Sequence, residues 1–316
     1  MACLHFSSTG ASKFPSAEES SSKSHRHDWD KKSALVKKLS SSMRSFFNRL
    51  PRLVLFGLAM ASISATTLKP LFYGFDFGTS GVRCCLIDSV MSIVHSDSLS
   101  WSDICTTGSN INVVESWEIA MDQLLERTPL IHREFVERIC VSGTSSSTLI
   151  YDMELKSISR QPRMYDFNVL QQNAAEIKGE EAMRAIRLVC PEGSAANAPT
   201  STLAKVISWN FEKPFSASER LAHQADYLIH YITDLPTSAP LKDQFKTDWH
   251  NALKLGYDVR RLEYPKWMTN LLLEQGIQLS FVPQVQAPGC RVSVVNPRLK
   301  GMGYSEQCEV VAGELV

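Results

Sequence analysis

The sequence predicts a mixed α/β body behind a serine-rich, basic leader. Three observations carry this. Short aromatic and β-branched runs are separated by glycine turns from Leu71 onward. Apolar residues then recur at helical spacing between Glu115 and Arg127. Another strand-like run, again ending in glycine, follows at Arg138–Gly143. The chain has 316 residues, 44% hydrophobic and 21% charged, which fits a globular protein of about two domains. Lys+Arg and Asp+Glu are both 33, which argues against a protein whose main work is binding nucleic acid. No apolar run approaches the ~18 residues of a membrane-spanning helix, so no membrane partner is expected. Eight cysteines without a Cys-x-x-Cys pair make neither a disulfide scaffold nor a zinc ribbon.

The leader, residues 1–67, holds ten Lys/Arg, four acidic residues and fifteen serines, which leaves a net charge of about −6 for the remainder. Such a segment resembles an organelle transit peptide, and its serine density favours the chloroplast stroma. Two other readings stay open: a disordered tail, and a signal-peptide core at Leu53–Ala61, which starts late for secretion.

Each later element has its own local reason. Leu71–Phe77 is short and aromatic, as strands are. Gly78-Thr79-Ser80-Gly81 is a turn. Val82–Asp88 and Met91–His95 continue as strands, giving an antiparallel meander. Cys84 and Cys85 are neighbours on a strand, so they face opposite ways, as free thiols. Trp117, Met121, Leu124 and Leu125 mark one helix face, and Thr148–Tyr151 is a further strand. The turn after Leu71–Phe77 carries chemistry. Asp76 at the strand end stands beside several backbone N–H groups able to hold phosphoryl or sugar oxygens. Its carboxylate suits Mg2+ held through water, and Arg83 adds a fixed cation. A hairpin turn with an incidental Asp competes with that reading. His223, His230 and His250 lack metal spacing and read as surface or capping residues; Trp101, Trp117, Trp209, Trp249 and Trp267 read as core.

Gly74-x-Asp76-x-Gly78-Thr79-Ser80-x-x-Arg83 followed by Leu86-x-Asp88 resembles the opening of the FGGY carbohydrate kinases, a family within the actin, hexokinase and heat-shock ATPase superfamily. Four further segments follow in the family's order: Val141–Asp152, Arg163–Asp166, Leu203–Trp209 with its Lys205-x-x-x-Trp209 helix, and Ala225–Leu228 leading to Thr247–Ala252. The plant and cyanobacterial ketopentose kinases look nearest. Asn168 stands where many relatives have Arg, and Ser145-Ser146 where xylulokinases have Met-His, so the sugar stays open between D-ribulose and D-xylulose.

The resemblance implies an actin-like, ribonuclease H-like ATPase fold, essentially the N-terminal, sugar-side lobe of a two-lobed kinase over residues 68–312. It implies ATP and Mg2+ as cofactors and phosphoryl transfer to a hydroxyl of a free ketopentose. By resemblance Asp248 is the general base, although Thr247-Asp248 ahead of Trp249–Leu253 also reads as a helix N-cap. Asp76, Ser80, Gly81, Val82, Arg83, Thr144, Ser145 and Asp166 are the sugar-side residues. Asp76, Gly78, Thr79 and Ser80 face the phosphates, with Asp76 toward Mg2+ through water. Val310–Gly313 resembles the start of a second glycine motif. Residues 313–316 then read as an aberrant end, with the ATP-side lobe missing, the chain weak or inactive alone, and self-association through an exposed apolar face. The alternative is a non-catalytic sugar-binding or regulatory fragment.

Overall fold

The computed structural model describes residues 70–104, 111–171, 177–234 and 245–313; the leader lies outside them. Strand β1 (Leu71–Phe77) buries Leu71, Tyr73, Phe75 and Phe77 on one face and turns Gly74 and Asp76 to the other. It pairs antiparallel with β2 (Gly81–Asp88), which pairs antiparallel with β3 (Ile93–Ser100), a strand longer than the sequence suggested. Strand β4 (Val136–Gly143) lies parallel to β1, with Ser142 opposite Asp76.

Between β3 and β4 runs helix α1 (Val113–Arg127). Asn112 caps it, accepting from the amides of Val114 and Glu115 at 3.0 Å each. It stops at Thr128 because Pro129 pushes the preceding residue into extended backbone, and Thr128 has ψ 127°. Val114, Trp117, Met121, Leu124 and Leu125 pack as one stripe on the buried face of the sheet.

A second sheet follows, β6 (Ser157–Arg163), β5 (Thr148–Asp152) and β7 (Glu219–His223), with β5 in the middle. Leu149 faces the first core and its neighbour Ile150 faces a second one. That second core is closed by helices α2 (Gly179–Arg187), α3 (Thr202–Glu212) and, further on, Lys266–Glu274. Helix α4 (Gln224–Ile232) returns to the first sheet through Tyr227, Leu228, Ile229 and Ile232. A short parallel pair, β8 (Lys246–Asp248) and β9 (Gln284–Gln286), precedes β10 (Arg291–Val294) and β11 (Glu309–Val311). Strand β11 lies parallel to β4, which completes the order β10-β11-β4-β1-β2-β3. Two strands parallel to β1 on one side and an antiparallel meander on the other bring the ends of β1, β4 and β11 to one edge.

Candidate functional site

The site is built where those strand ends meet. The turn after β1 is closed by the Gly78 amide donating to the Gly81 carbonyl at 2.9 Å. The Trp101 indole N–H ties it down, donating to the Gly78 carbonyl at 3.1 Å. Gly81 is required by space: a Cβ there would lie 2.2 Å from the Leu99 carbonyl oxygen across the β2–β3 pair. Thr79, Ser80, Asp76 and Arg83 are exposed. Asp76, Arg83 and Ser142 line one open hollow of about 890 Å3 together with Gly74, Cys85 and Cys140.

Val82 stands apart from its predicted partners. Its side chain is wholly buried in the first core, because alternation along β2 turns it opposite to Arg83, so only its backbone reaches the turn.

Asp248 ends β8 and begins helix α5 (Trp249–Leu253). The N-cap reading of this residue holds. Its Oδ1 accepts from the amides of His250 (2.6 Å) and Asn251 (3.0 Å), an N-cap. Its Oδ2 accepts from Asn251 Nδ2 at 2.7 Å. A carboxylate has about four acceptor positions, so three bonds leave about one for a substrate hydroxyl. The carboxylate is only 2% exposed, which strengthens each of these contacts.

A glycine lets Asp248 approach the main sheet. Gly313 has φ +90°, and a Cβ on it would lie 3.1 Å from the Asp248 Cβ and 2.8 Å from the Pro288 Cα. The Gly313 carbonyl accepts from the Cys140 thiol on β4. Val311 pairs with Cys140 and Asp76 with Ser142, so Gly313 continues a strand two removed from β1. At ~4.8 Å per strand spacing, β11 lies on the order of 10 Å from β1, and Asp248 packs against the glycine that follows β11.

Thr144, Ser145 and Asp166 gather around a third group of contacts. The Thr144 amide and hydroxyl both donate to Gln224 Oε1 at 2.9 Å, and the hydroxyl meets Ser147 Oγ at 2.5 Å. The Thr144 hydroxyl is therefore committed mostly to its own turn. Ser147 Oγ also accepts from the Tyr165 amide at 3.0 Å, which ties the turn carrying the exposed Asp166 to the turn carrying the exposed Ser145. Asn168 forms a local turn, its Oδ1 accepting from the Leu170 amide at 2.9 Å.

His223 links this group to Asp248. It is fully buried, because it ends the all-buried strand β7, and it is the N-cap of α4, which agrees with the capping reading and not the surface one. Its amide donates to Asp226 Oδ2 at 2.9 Å, and its Nδ1 lies 2.7 Å from the same oxygen and 3.2 Å from Thr247 Oγ1. Gln224 and His223 thus join two candidate segments, 144–147 and 247–248. Neither residue stood out in the sequence beyond its type, since its partners lie some eighty and two dozen positions away. Trp117 and Trp209 are core residues as expected, and His250 is exposed.

Among the described residues no group of three or more His, Cys, Asp or Glu side chains could hold a metal. Two carboxylates line the hollow, the exposed Asp76 and the partly buried Asp97, which pairs with Arg127 at 3.6 Å. That donor set fits a hydrated Mg2+ carried by phosphate oxygens and met through water.

No protein-family model matches the chain. Among solved structures it is similar to a xylulose kinase from Rhodospirillum rubrum, with TM-score 0.57 and 16% identity over 77% of this chain and 48% of that one. A xylulose kinase from Lactobacillus acidophilus gives TM-score 0.55 and 14% identity, covering 77% and 48%. Plasmodium falciparum glycerol kinase gives 0.56 and 12%, also covering 77% and 48%. The chain thus spans about half the length of these kinases. Its described body has the mixed α/β fold of their actin-like ATPase domains.

Proposed function

We propose that this chain carries the sugar side of an ATP-dependent carbohydrate kinase whose substrate is a free ketopentose, D-ribulose or D-xylulose. The observation that carries the proposal is that Asp248 packs against Gly313, which follows the strand two removed from β1, the strand that carries Asp76. Sugar-kinase domains share the fold to which these strands belong. In this reading the free acceptor position on Asp248 takes the proton of the reacting hydroxyl, which it also orients. Ser145 and Asp166 bind neighbouring hydroxyls, with Thr144 bracing their turn. Arg83, exposed on the hollow, offsets negative charge that gathers at the β1–β2 turn. MgATP, when bound, supplies the phosphoryl group, and Asp76 faces its hydrated metal. Transfer of this kind needs alignment and charge neutralisation more than covalent help, which suits a site made of one buried carboxylate and several rigid turns. We also propose the chloroplast stroma as the compartment, from the composition of residues 1–67.

The test is calorimetric titration of the purified chain with D-ribulose, D-xylulose, gluconate and glycerol, with coupled ADP release measured in parallel with MgATP. Binding of a pentulose that Asp248→Asn weakens is the expected result. Pentulose binding with no ADP release would favour a sugar-binding or regulatory role. Heat-silent titrations with all four ligands would overturn the proposal.

A further inference from the structure

Lys205 lies on α3, outside the hollow, with its side chain fully buried. A cation is costly to bury, and an apolar residue would suit that helix face better. Its surroundings confirm the cost. Burial, helped by Lys254 and Arg163 and opposed by Asp166, pushes its ammonium down to about 7. What the side chain does there is specific. Its Nζ donates to the carbonyl oxygens of Ser146 and Met164 at 2.6 Å each and reaches Ser146 Oγ at 3.3 Å.

Those carbonyls belong to two different turns. Ser146 has φ +71°, a left-handed conformation that costs a non-glycine residue roughly 1 kcal/mol or more. It is held there by Lys205 from one side and by its own hydroxyl donating to the Thr200 carbonyl at 2.9 Å from the other. Met164 precedes the Tyr165–Asp166 turn, which Ser147 Oγ clasps. One buried amine therefore fixes both the turn that presents Ser145 and the turn that presents Asp166. Neither of those exposed side chains has to be held by the ligand.

We infer that Lys205 is a positioning residue of the sugar side: it sets the spacing between Ser145 and Asp166, and so the pattern of sugar hydroxyls the chain accepts. This inference rests on the sugar-kinase reading above. It deepens that reading by assigning pentulose discrimination to a residue that touches no sugar.

The experiment compares the whole chain with Lys205→Met and Lys205→Gln. Met and Gln both reach about one atom less far than Lys; Met carries no donor and Gln keeps one. Amide exchange is read at Ser145–Ser147 and Tyr165–Asp166 against the strands of the first sheet, and D-ribulose and D-xylulose are titrated into each protein. Lys205→Met is expected to exchange about tenfold faster at both turns, with the sheet unchanged. It should also lose roughly tenfold in pentulose affinity, with the preference between the two sugars flattened. Lys205→Gln should fall between. Unchanged exchange, or unchanged affinity and preference in a variant of a wild type that does bind, overturns the inference while leaving the kinase reading intact. A wild type that binds neither sugar overturns both. Loss of a cooperative melt in both variants makes Lys205 a general folding residue and overturns the positioning role.

Discussion

Replacing Asp248 separates its two roles, because Asn keeps one of them and Ala keeps neither. In Asp248→Ala the His250 and Asn251 amides lose their cap, at about 1 kcal/mol, and buried Asn251 Nδ2 loses its acceptor, at about 1–3 kcal/mol more. The sum is roughly 2–4 kcal/mol. For a body of this size, each kcal/mol moves Tm by about 2–4 °C, so thermal unfolding should fall by roughly 5–15 °C. Asp248→Asn retains an oxygen for both amides, since Asn is as good a cap as Asp, but sets its Nδ2 against Asn251 Nδ2, two donors, so it should be less stable than wild type yet about 1 kcal/mol more stable than the Ala variant. Sugar affinity should behave differently. Both variants lose the charged acceptor for the substrate hydroxyl, so both should weaken pentulose binding on the order of tenfold. The assays are thermal melts by circular dichroism and calorimetric titration of each protein. An Asn variant as unstable as the Ala variant would refute the capping argument. An Asn variant that binds sugar like wild type would refute the role assigned to the carboxylate.

Other outcomes follow from the same contacts. Gly81→Ala places a Cβ 2.2 Å from backbone at Leu99 and should cost about 1–3 kcal/mol in urea unfolding; a neutral result would mean that β2 and β3 separate freely. Burial opposes ionisation of Glu219, but Arg160 at 3.0 Å, the Ser159 hydroxyl and the Ser216 amide outweigh it and hold the carboxyl below its usual value. Its stabilisation is therefore present above the ordinary glutamate value near ~4.3 and lost as pH falls through the lowered one. Glu219→Gln should be less stable at pH 7 and should show a flatter acid limb in pH-dependent melts. Lys205 works in the opposite range. With its folded value lowered to about 7, the unfolded chain binds more protons between there and the ordinary lysine value. Wild-type stability relative to Lys205→Met should therefore rise from about pH 7 to 8.5; a flat difference would contradict the burial argument. Residues 1–67 fused to a fluorescent protein should enter the plastid stroma of leaf cells, and diffuse cytosolic or secreted signal would refute the transit reading.

Much of the frame was legible because its causes are local. Alternation from Leu71 to Phe77 marks β1 and its buried face. Helical spacing after Asn112 marks α1, and Cys84 and Cys85 fall on opposite faces as strand neighbours must. Asp248 showed its cap in one short segment. The resemblance of spaced motifs reached further than periodicity could, pointing to Asp76, Asp248 and the 144–166 region before any contact was known.

Burial and partnership were decided by the tertiary structure, since they belong to residues brought together from distant segments. Nothing in the sequence near Thr144 says that its hydroxyl turns to Gln224, or that Val82 is sealed while Arg83 is free. His223 becomes a buried link between Asp226 and Thr247 only when β7 is covered, and Lys205 becomes a clamp only when two turns close over α3. Residue order determined which chemical groups this protein owns and the strands and helices that carry them. Packing alone brought Gly313 against Asp248, because the approach of one backbone to another depends on the absence of a side chain at a contact that neither segment can specify by itself.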